Sequence, residues 1–179
     1  MKSIKQKTAD AYKAMKADFG YKNPMQAPHI VKVVVSSGTG SGQKKDKNRN
    51  DLVLDRISKI TGQKPSLRSS KKSVASFKLR QGETIGVAVT LRGARMYAFL
   101  DKLFNISIPR TKDFRGIDSK IIDGMGNMTL PIKEHVIFPE TGDEELKDIF
   151  GLAVTIVTTA KTKPEALSFF THLGVPFKK

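Results

Sequence analysis

The sequence predicts an α+β fold with a largely antiparallel sheet and a long basic loop that protrudes from a hairpin. Helical and β-branched apolar patterns are interspersed along the chain without strict alternation. With 179 residues, 39% of them hydrophobic and 27% charged, the chain can bury a proper core. This length suggests one domain or two small ones. Because there is no cysteine, disulfides and thiolate metal sites are excluded, which fits a reducing cytosol.

The first predicted elements are a helix and a strand. Gly20 ends a run of apolar residues at helical spacing, formed by Ile4, Ala11, Tyr12, Met15 and Phe19. Pro24 and Pro28 then predict an extended connector. The β-branched segment Ile30–Val35 is typical of a central strand. The lysine-rich N-terminus has no apolar stretch, so it is not predicted to be a secretory signal.

A glycine-rich turn is predicted next, at Ser36–Gly42. A helix follows from about Lys47 to Ile60 and ends at Gly62. Two short strands come after it, at Ser66–Ser70 and Ile85–Leu91. If these strands pair, the polar, basic stretch between them is a long hairpin loop, and such loops are usually functional or disordered.

The second half of the chain predicts five further elements. A helix begins after Gly93, with apolar residues at helical spacing up to Leu103. The others, in order, are an edge strand at Met128–Ile132 that contains Pro131, a short helix from Asp143 to Phe150, a strand at Leu152–Thr159, and a helix from Pro164 to Leu173 with a capping box of Thr162 and Glu165.

All of the net positive charge lies in the first half. Residues 1–95 carry 21 Lys/Arg against 6 Asp/Glu, a net +15, whereas residues 96–179 carry 11 of each sign. The segment 56–82 contains no acid and eight cations: Arg56, Lys59, Lys64, Arg68, Lys71, Lys72, Lys78 and Arg80. Such a run repels itself unless salt or a polyanion screens it, and nucleic acid is the commonest partner of that kind.

The sequence contains no complete motif for catalysis or metal binding. The strand, glycine turn and helix around Ser36–Gly42 have the context of a dinucleotide site, but Gln43 stands where the third glycine belongs. A P-loop would need glycine before Lys44. A turn whose amides face a phosphate, such as an RNA backbone, is favoured over a nucleotide cofactor. The histidines are scattered and are interpreted as surface or satisfied core residues: His29, His135 and His172.

The basic loop is the feature that points to function. Four cations can neutralise phosphates, and Phe77 offers a ring for stacking or for anchoring the loop: the cations are Lys71, Lys72, Lys78 and Arg80. The alternative is a mobile, solvated loop with Phe77 tucked into the core. Because the chain has no Trp and no paired aromatic strands, structured RNA recognised by shape and backbone is favoured over splayed single strands.

Two other charged features have their own interpretations. The basic N-terminal helix is predicted to pack on the domain with its lysines towards RNA. A membrane-surface helix is the alternative, but the apolar face is modest and lacks Trp. Asp113 and Arg115 are interpreted as a surface ion pair.

Eight ordered segments carry a resemblance to a known family: Asn23–Pro28, Ile60–Pro65, Lys71–Ser73, Phe77–Arg80, Val89–Gly93, Asp113–Gly116, Ile137–Glu140 and Thr158–Lys161. Together they closely resemble the bacterial type of ribosomal protein five of the large subunit, the 5S-rRNA-binding family of the central protuberance. The resemblance runs from about residue 2 to Phe177. It implies an antiparallel sheet with helices packed on one face, and a single 5S-rRNA-binding domain over residues 1–179.

The resemblance also implies the partners and the contact residues. The family binds 5S rRNA, helps to attach it to 23S rRNA, contacts P-site tRNA and bridges to a small-subunit head protein, beside other central-protuberance proteins. The implied 5S rRNA contacts are Ser36, Gly38, Gln63, Thr90 and Arg92, and the implied tRNA contacts are Lys71, Lys72, Ser73, Phe77, Lys78 and Arg80. The bridge surface is expected around Pro109–Arg115. The protein is then a non-enzymatic, ribosome-bound cytoplasmic protein with no cofactor and no membrane partner.

Two segments depart from the family pattern. Ser36-Ser37-Gly38 stands where the family usually has N-M-G, and a serine replaces only part of the hydrogen bonding of an amide. Asp123–Met128 lacks an arginine and an aromatic residue of the usual D-G-R-G-N-Y, so it receives no RNA role. The competing hypotheses are a nonspecific nucleic-acid-binding protein or RNA chaperone, and an enzyme that uses the glycine turn for a nucleotide.

Overall fold

The computed structural model describes residues 3–40, 48–112, 114–141 and 149–178. Within them, one antiparallel sheet has the strand order β2-β3-β1-β5-β4, with bounds β1 Ile30–Gly38, β2 Ser66–Ser69, β3 Thr84–Leu91, β4 Met128–Ile132 and β5 Leu152–Thr158. The helices are α1 Ile4–Phe19, α2 Arg49–Thr61, α3 Gly93–Lys102 and α4 Lys163–Leu173. The predicted α+β, antiparallel class is confirmed.

Most helix ends lie where the sequence predicts them. Gly20 and Gly62 adopt left-handed conformations, with φ of 63° and 66°, and end α1 and α2 as predicted. Only one of the two hydrogen bonds of the capping box predicted for α4 is formed, so the other half of that prediction is wrong. Thr162 accepts from the Glu165 N–H at 3.4 Å, but the Glu165 carboxylate accepts from the Lys161 N–H and from the Tyr21 hydroxyl instead of closing the box.

The chain divides into two compact units, each assembled from separate segments. Unit 1 comprises residues 1–33, 92–130 and 155–179, and its helix α1 packs against both α3 and α4. Met15, Leu100 and Phe169 of these helices are buried. Lys7 lies in this packing because its Nζ donates to the Leu173 carbonyl at 2.7 Å, at the C-terminus of α4. The helix thus packs on the fold as predicted, and Lys7 is held against α4.

Unit 2 comprises residues 34–91 and 131–154. Its helix α2 packs against β3, and the buried side chains of Val53 and Ile57 form its core with those of Val87 and Val89. The strand β2 pairs antiparallel with β3, along the edge of β3 that does not pair with β1. All residues of β2 are exposed.

The strand β1 is longer than the sequence predicts. Ser36 and Gly38 are predicted to belong to a glycine-rich turn, but the strand continues through Gly38. The physical reason is that the strand alternation persists: Ser37 is buried and its hydroxyl donates to the Gly151 carbonyl at 2.7 Å. The rest of the predicted turn at 41–42 and the Gln43 and Lys44 positions lie outside the described residues. The same is true of residues 143–148 of the predicted helix Asp143–Phe150, and its last two residues, Ile149 and Phe150, are not helical.

Candidate nucleic-acid interface

One face of β1 in unit 2 is covered by a helix and the other is open. Val35 and Ser37 are buried, whereas Ser36 is half-buried and Gly38 is exposed. Thr39 shares the side of Val35 and Ser37, and its hydroxyl donates to Asn50 of α2. Because alternate residues of a strand face opposite sides, Ser36 and Gly38 lie on the face away from α2.

The neighbouring strand β3 continues the same face, where Gly86 and Ala88 are buried and Thr90 is half-buried. The Thr39 N–H donates to the Ile85 carbonyl at 2.9 Å, which aligns the odd-numbered residues of β3 with the helix-covered side of β1. Val87 and Val89 are accordingly buried, and Thr90 is half-buried on the opposite side. The structure therefore brings three of the predicted 5S rRNA contacts onto one sheet face: Ser36, Gly38 and Thr90.

A side-chain hydrogen bond joins Gln63 to the end of this face. Gln63 follows the Gly62 cap of α2, and its Nε2 donates to the Thr90 carbonyl at 3.2 Å. Arg92 comes two residues after Thr90 and is exposed. No hydrogen bond or ion pair links the Arg92 side chain to another residue of the described chain. Its guanidinium is therefore available to a phosphate or a base.

Sequence reasoning missed Arg68 as a site residue. Arg68 pairs with Gly86, so it lies on the same open face as Ser36 and Thr90. Ser66 pairs with Ala88 and its hydroxyl donates to the Ala88 carbonyl at 3.1 Å. The face of the sheet on which Arg68 lies depends on which residue of β3 it pairs with. The sequence alone does not reveal this pairing register, so it contained no signal for Arg68.

The loop between β2 and β3, residues 70–83, has structure of its own. At its base, the Ser70 N–H donates to the Glu83 carbonyl at 2.8 Å, and the Gly82 N–H donates to the Ser70 carbonyl at 3.0 Å. Near its tip, Val74 and Leu79 exchange two backbone hydrogen bonds of 3.1 Å around a single 3-10 turn. Backbone hydrogen bonds across the loop thus extend the β2–β3 hairpin. The sequence had also allowed a loop without structure of its own.

The side chains of this loop point away from a core. All of its residues from Lys71 to Gly82 are exposed except Leu79, and the Phe77 side chain is 66% exposed. The alternative in which Phe77 is tucked into the core is therefore wrong. Lys78, next to Phe77, is the one non-glycine residue of the described chain with positive φ, at 51°. This conformation is uncommon for a residue with a side chain, and here it closes the 3-10 turn.

The charge of the basic segment is more localised than its sequence suggests. Lys59 and Arg56 lie on α2 and pair with Asp55, at 2.8 and 3.4 Å. The remaining six cations form no ion pair with any carboxylate of the described residues: Lys64, Arg68, Lys71, Lys72, Lys78 and Arg80. All six are exposed. The interpretation of eight uncompensated cations is corrected to six, all within residues 64–80.

The three histidines each have a partner. His135 is buried, stacks on Phe150 with ring centroids 4.1 Å apart, and accepts the Phe150 N–H at Nδ1. His172 Nε2 lies 2.9 Å from the Lys7 carbonyl, and His29 Nδ1 lies 3.2 Å from the Thr159 hydroxyl. Among the residues that the structure describes, no three His, Asp or Glu side chains are grouped as metal ligands.

The segment that departs from the family pattern is a tight turn built on Asp123. Its carboxylate accepts from the N–H groups of Met125 and Asn127, at 2.9 and 2.7 Å, and from the Asn127 side chain. Burial by itself would raise the pKa of Asp123, but these hydrogen bonds outweigh it and hold the pKa below its ordinary value. The Asp113 member of the predicted Asp113–Arg115 pair lies outside the described residues.

Comparison with known proteins matches two family models to successive parts of the chain. A model described as "Ribosomal protein L5" matches residues 23–80, and a model for the C-terminus of the same ribosomal family matches residues 84–177. The protein named large ribosomal subunit protein uL5 from Heliobacterium modesticaldum is 48% identical over 179 residues, 99% of each chain. The protein of that name from Lacticaseibacillus casei is 49% identical over 166 residues, 93% of this chain and 92% of its own.

In the described parts of the chain, no helix has both the length and the apolar character that a bilayer crossing needs.

The relatives are constituents of the large ribosomal subunit, and the two family models together span most of the chain. The open sheet face and the exposed cationic loop are features that suit an RNA partner. The chain therefore belongs to the ribosomal protein L5 family and is a structural, non-enzymatic, ribosome-bound constituent of the large subunit in the cytoplasm.

Proposed function

We propose that this protein binds 5S rRNA with the open sheet face and contacts P-site tRNA with the loop 70–83. In this proposal it also helps to attach 5S rRNA to 23S rRNA in the central protuberance, beside other proteins there, and residues 1–179 act as one 5S-rRNA-binding domain. The observation that carries it is the segment 64–80, whose six exposed cations have no carboxylate partner among the described residues. Such a segment gains most from a phosphate backbone.

The open face suits a folded RNA because its accessible residues on β1 and β3 are small: Ser36, Gly38 and Thr90. Gly86 and Ala88, which also lie on this side of β3, are buried. Ser36 and Thr90 supply hydroxyls that both donate and accept hydrogen bonds. Recognition of structured RNA by shape relies on such contacts to sugars and phosphates. Arg68 adds positive charge to this face, and Arg92 follows the end of β3 along the chain.

The test is to recover the RNA that accompanies the protein in cells and to measure binding to it. We expect 5S rRNA to dominate the RNA that copurifies with the chain. With about three phosphate contacts, from Lys64, Arg68 and Arg92 outside the loop 70–83, the affinity for 5S rRNA should fall roughly 40-fold between about 50 and 200 mM salt. An unrelated RNA duplex should compete poorly. Equal competition by that duplex would replace this function with that of a nonspecific nucleic-acid-binding protein or RNA chaperone.

Two glycines give a finer test of where 5S rRNA approaches. At Gly38, an added Cβ would meet nothing within 4 Å, and φ is not positive. At Gly86, an added Cβ would lie 2.9 Å from the Ser37 carbonyl oxygen of the neighbouring strand. We therefore expect Gly38→Ala to leave the free energy of unfolding unchanged and to weaken 5S rRNA binding. Gly86→Ala should destabilise the fold by about 1–3 kcal/mol through the steric clash.

Urea-induced unfolding and 5S rRNA titration of both variants separate the two effects. Gly38→Ala that binds 5S rRNA like the unchanged protein would show that RNA does not approach β1 closely at this point. Gly86→Ala with unchanged stability would contradict the close approach of β3 to β1.

We infer that this protein contacts the small-subunit head protein through the surface around Pro109–Arg115 in unit 1. Arg110, Lys112 and Phe114 are exposed there. The segment is tied at its end because the Ile117 N–H donates to the Pro176 carbonyl at 2.8 Å, and the Lys178 N–H donates to the Ile117 carbonyl at 2.9 Å. A held segment with exposed cations and an exposed ring supports an interface role.

A further inference from the structure

We propose that Glu83 and Ser73 are positioning residues that hold the loop 70–83 in its RNA-competent shape before RNA arrives. The proposal rests on the tRNA contact proposed above. It differs from the role that the resemblance implies for Ser73, which is direct contact with tRNA.

Glu83 fastens the base of the loop through three separate hydrogen bonds. Its carbonyl accepts from the Ser70 N–H at 2.8 Å, and its N–H donates to the Arg80 carbonyl at 3.2 Å. Its carboxylate Oε2 accepts from the Arg80 N–H at 3.1 Å. The backbone of Arg80 is thus held from both sides, so the direction of the Arg80 side chain depends on Glu83.

The charge of Glu83 makes this role informative. It is the first acid after a segment, 56–82, that contains none, and it lies beside cations proposed to meet phosphates. A carboxylate in that position repels RNA, so electrostatics alone would favour a neutral residue. Its structural contribution is to accept the Arg80 N–H, a hydrogen bond strengthened by the negative charge.

Ser73 fastens the middle of the loop. Its Oγ accepts from the Gln81 N–H at 3.0 Å and so links the two arms eight residues apart. Another serine hydroxyl, that of Ser70, donates to the Lys72 carbonyl at 2.7 Å. Side chains of the loop therefore satisfy backbone groups on both arms, beyond the Val74–Leu79 pair near the tip. A loop ordered in this way loses less conformational entropy when it binds.

The decisive comparison is between Glu83→Ala and Glu83→Gln. Both remove the same negative charge, but only glutamine keeps an oxygen that can accept the Arg80 N–H. We expect Glu83→Ala to lower hydrogen-exchange protection of the Arg80 amide about tenfold in the free protein, as loss of a charged acceptor implies. It should weaken tRNA binding by large subunits assembled with the variant, even though the loop becomes more positive. Glu83→Gln should bind tRNA as tightly as the unchanged protein, or slightly more tightly.

Ser73 and a matched control extend the test. Ser73→Ala should lower protection of the Gln81 amide about fivefold, and Ser73→Thr, which keeps the hydroxyl, should restore it. Gln81→Ala keeps the backbone N–H that donates to the Ser73 hydroxyl, so it should leave the protection of that amide unchanged. Thermal unfolding of each variant checks that the fold persists.

The outcomes distinguish a failure of this proposal from a failure of the proposed tRNA contact of the loop 70–83. If Glu83→Ala and Glu83→Gln bind tRNA equally well, the positioning role is overturned and Glu83 acts only through its charge. If replacing the four loop cations leaves tRNA affinity unchanged, the tRNA contact itself is wrong. In that case the amide protection in the free protein still decides whether Glu83 and Ser73 hold the loop.

Discussion

Large subunits assembled with alanine at the four loop cations are expected to bind P-site tRNA roughly 10²-fold more weakly, or worse, at about 0.1 M salt. The replaced residues are Lys71, Lys72, Lys78 and Arg80. Each is exposed and lacks an ion pair with the described residues, so its positive charge is free to release counterions from RNA phosphates. Binding of 5S rRNA by the free protein should remain nearly intact, because the open face of β1 and β3 is unchanged.

A matched control comes from the neutral half of the chain. Lys120, Lys133, Lys161 and Lys163 are also exposed, and replacing them with alanine removes the same four charges. This control should affect tRNA binding only weakly. If it lowers tRNA affinity as much as the loop variant, overall charge rather than the loop governs binding. A collapse of 5S rRNA binding in the loop variant would contradict the division of labour between loop and sheet.

The largest expected effect on stability is that of Phe169→Ala. Phe169 lies on α4, its side chain is 0% exposed, and it contacts Phe170 with ring centroids 5.8 Å apart. Removing a fully buried ring costs about 3–5 kcal/mol, from the lost burial and from the cavity left behind. Natural proteins have only about 5–15 kcal/mol of net stability, so this variant should be close to unfolding. Urea denaturation followed by circular dichroism measures the change.

Phe77→Ala is the informative counterpart. The ring is mostly exposed on the loop, so the free energy of unfolding should change by no more than about 0.5 kcal/mol. If the ring stacks on a tRNA base, its loss should weaken tRNA binding by about 1–3 kcal/mol. A destabilisation comparable to that of Phe169→Ala would show that Phe77 packs against the fold. Unchanged tRNA affinity would remove Phe77 from the predicted contacts.

Much of the local structure follows directly from the sequence. Gly20 and Gly62 end their helices because glycine adopts a left-handed conformation without steric cost. Pro131 lies on the edge strand β4, where a residue without an N–H disturbs the ladder least. The errors arose where distant partners intervene. Ser36–Gly38 has turn-forming residues, yet it remains a strand because pairing and the buried Ser37 hydroxyl outweigh local preference.

The family, the antiparallel α+β class and the presence of a basic loop could all be read from the residue order, because spacing, turn residues and charge are properties of neighbours along the chain. Which side chains share a face became known from the folded arrangement alone. Strand register placed Arg68 on the same sheet face as Ser36 and Thr90, and ion pairs with Asp55 removed two cations of α2 from the unpaired set. The folded loop also revealed that Glu83 holds the Arg80 backbone. These features escape the sequence because strand register and hydrogen-bond partners depend on how distant chain segments meet in space.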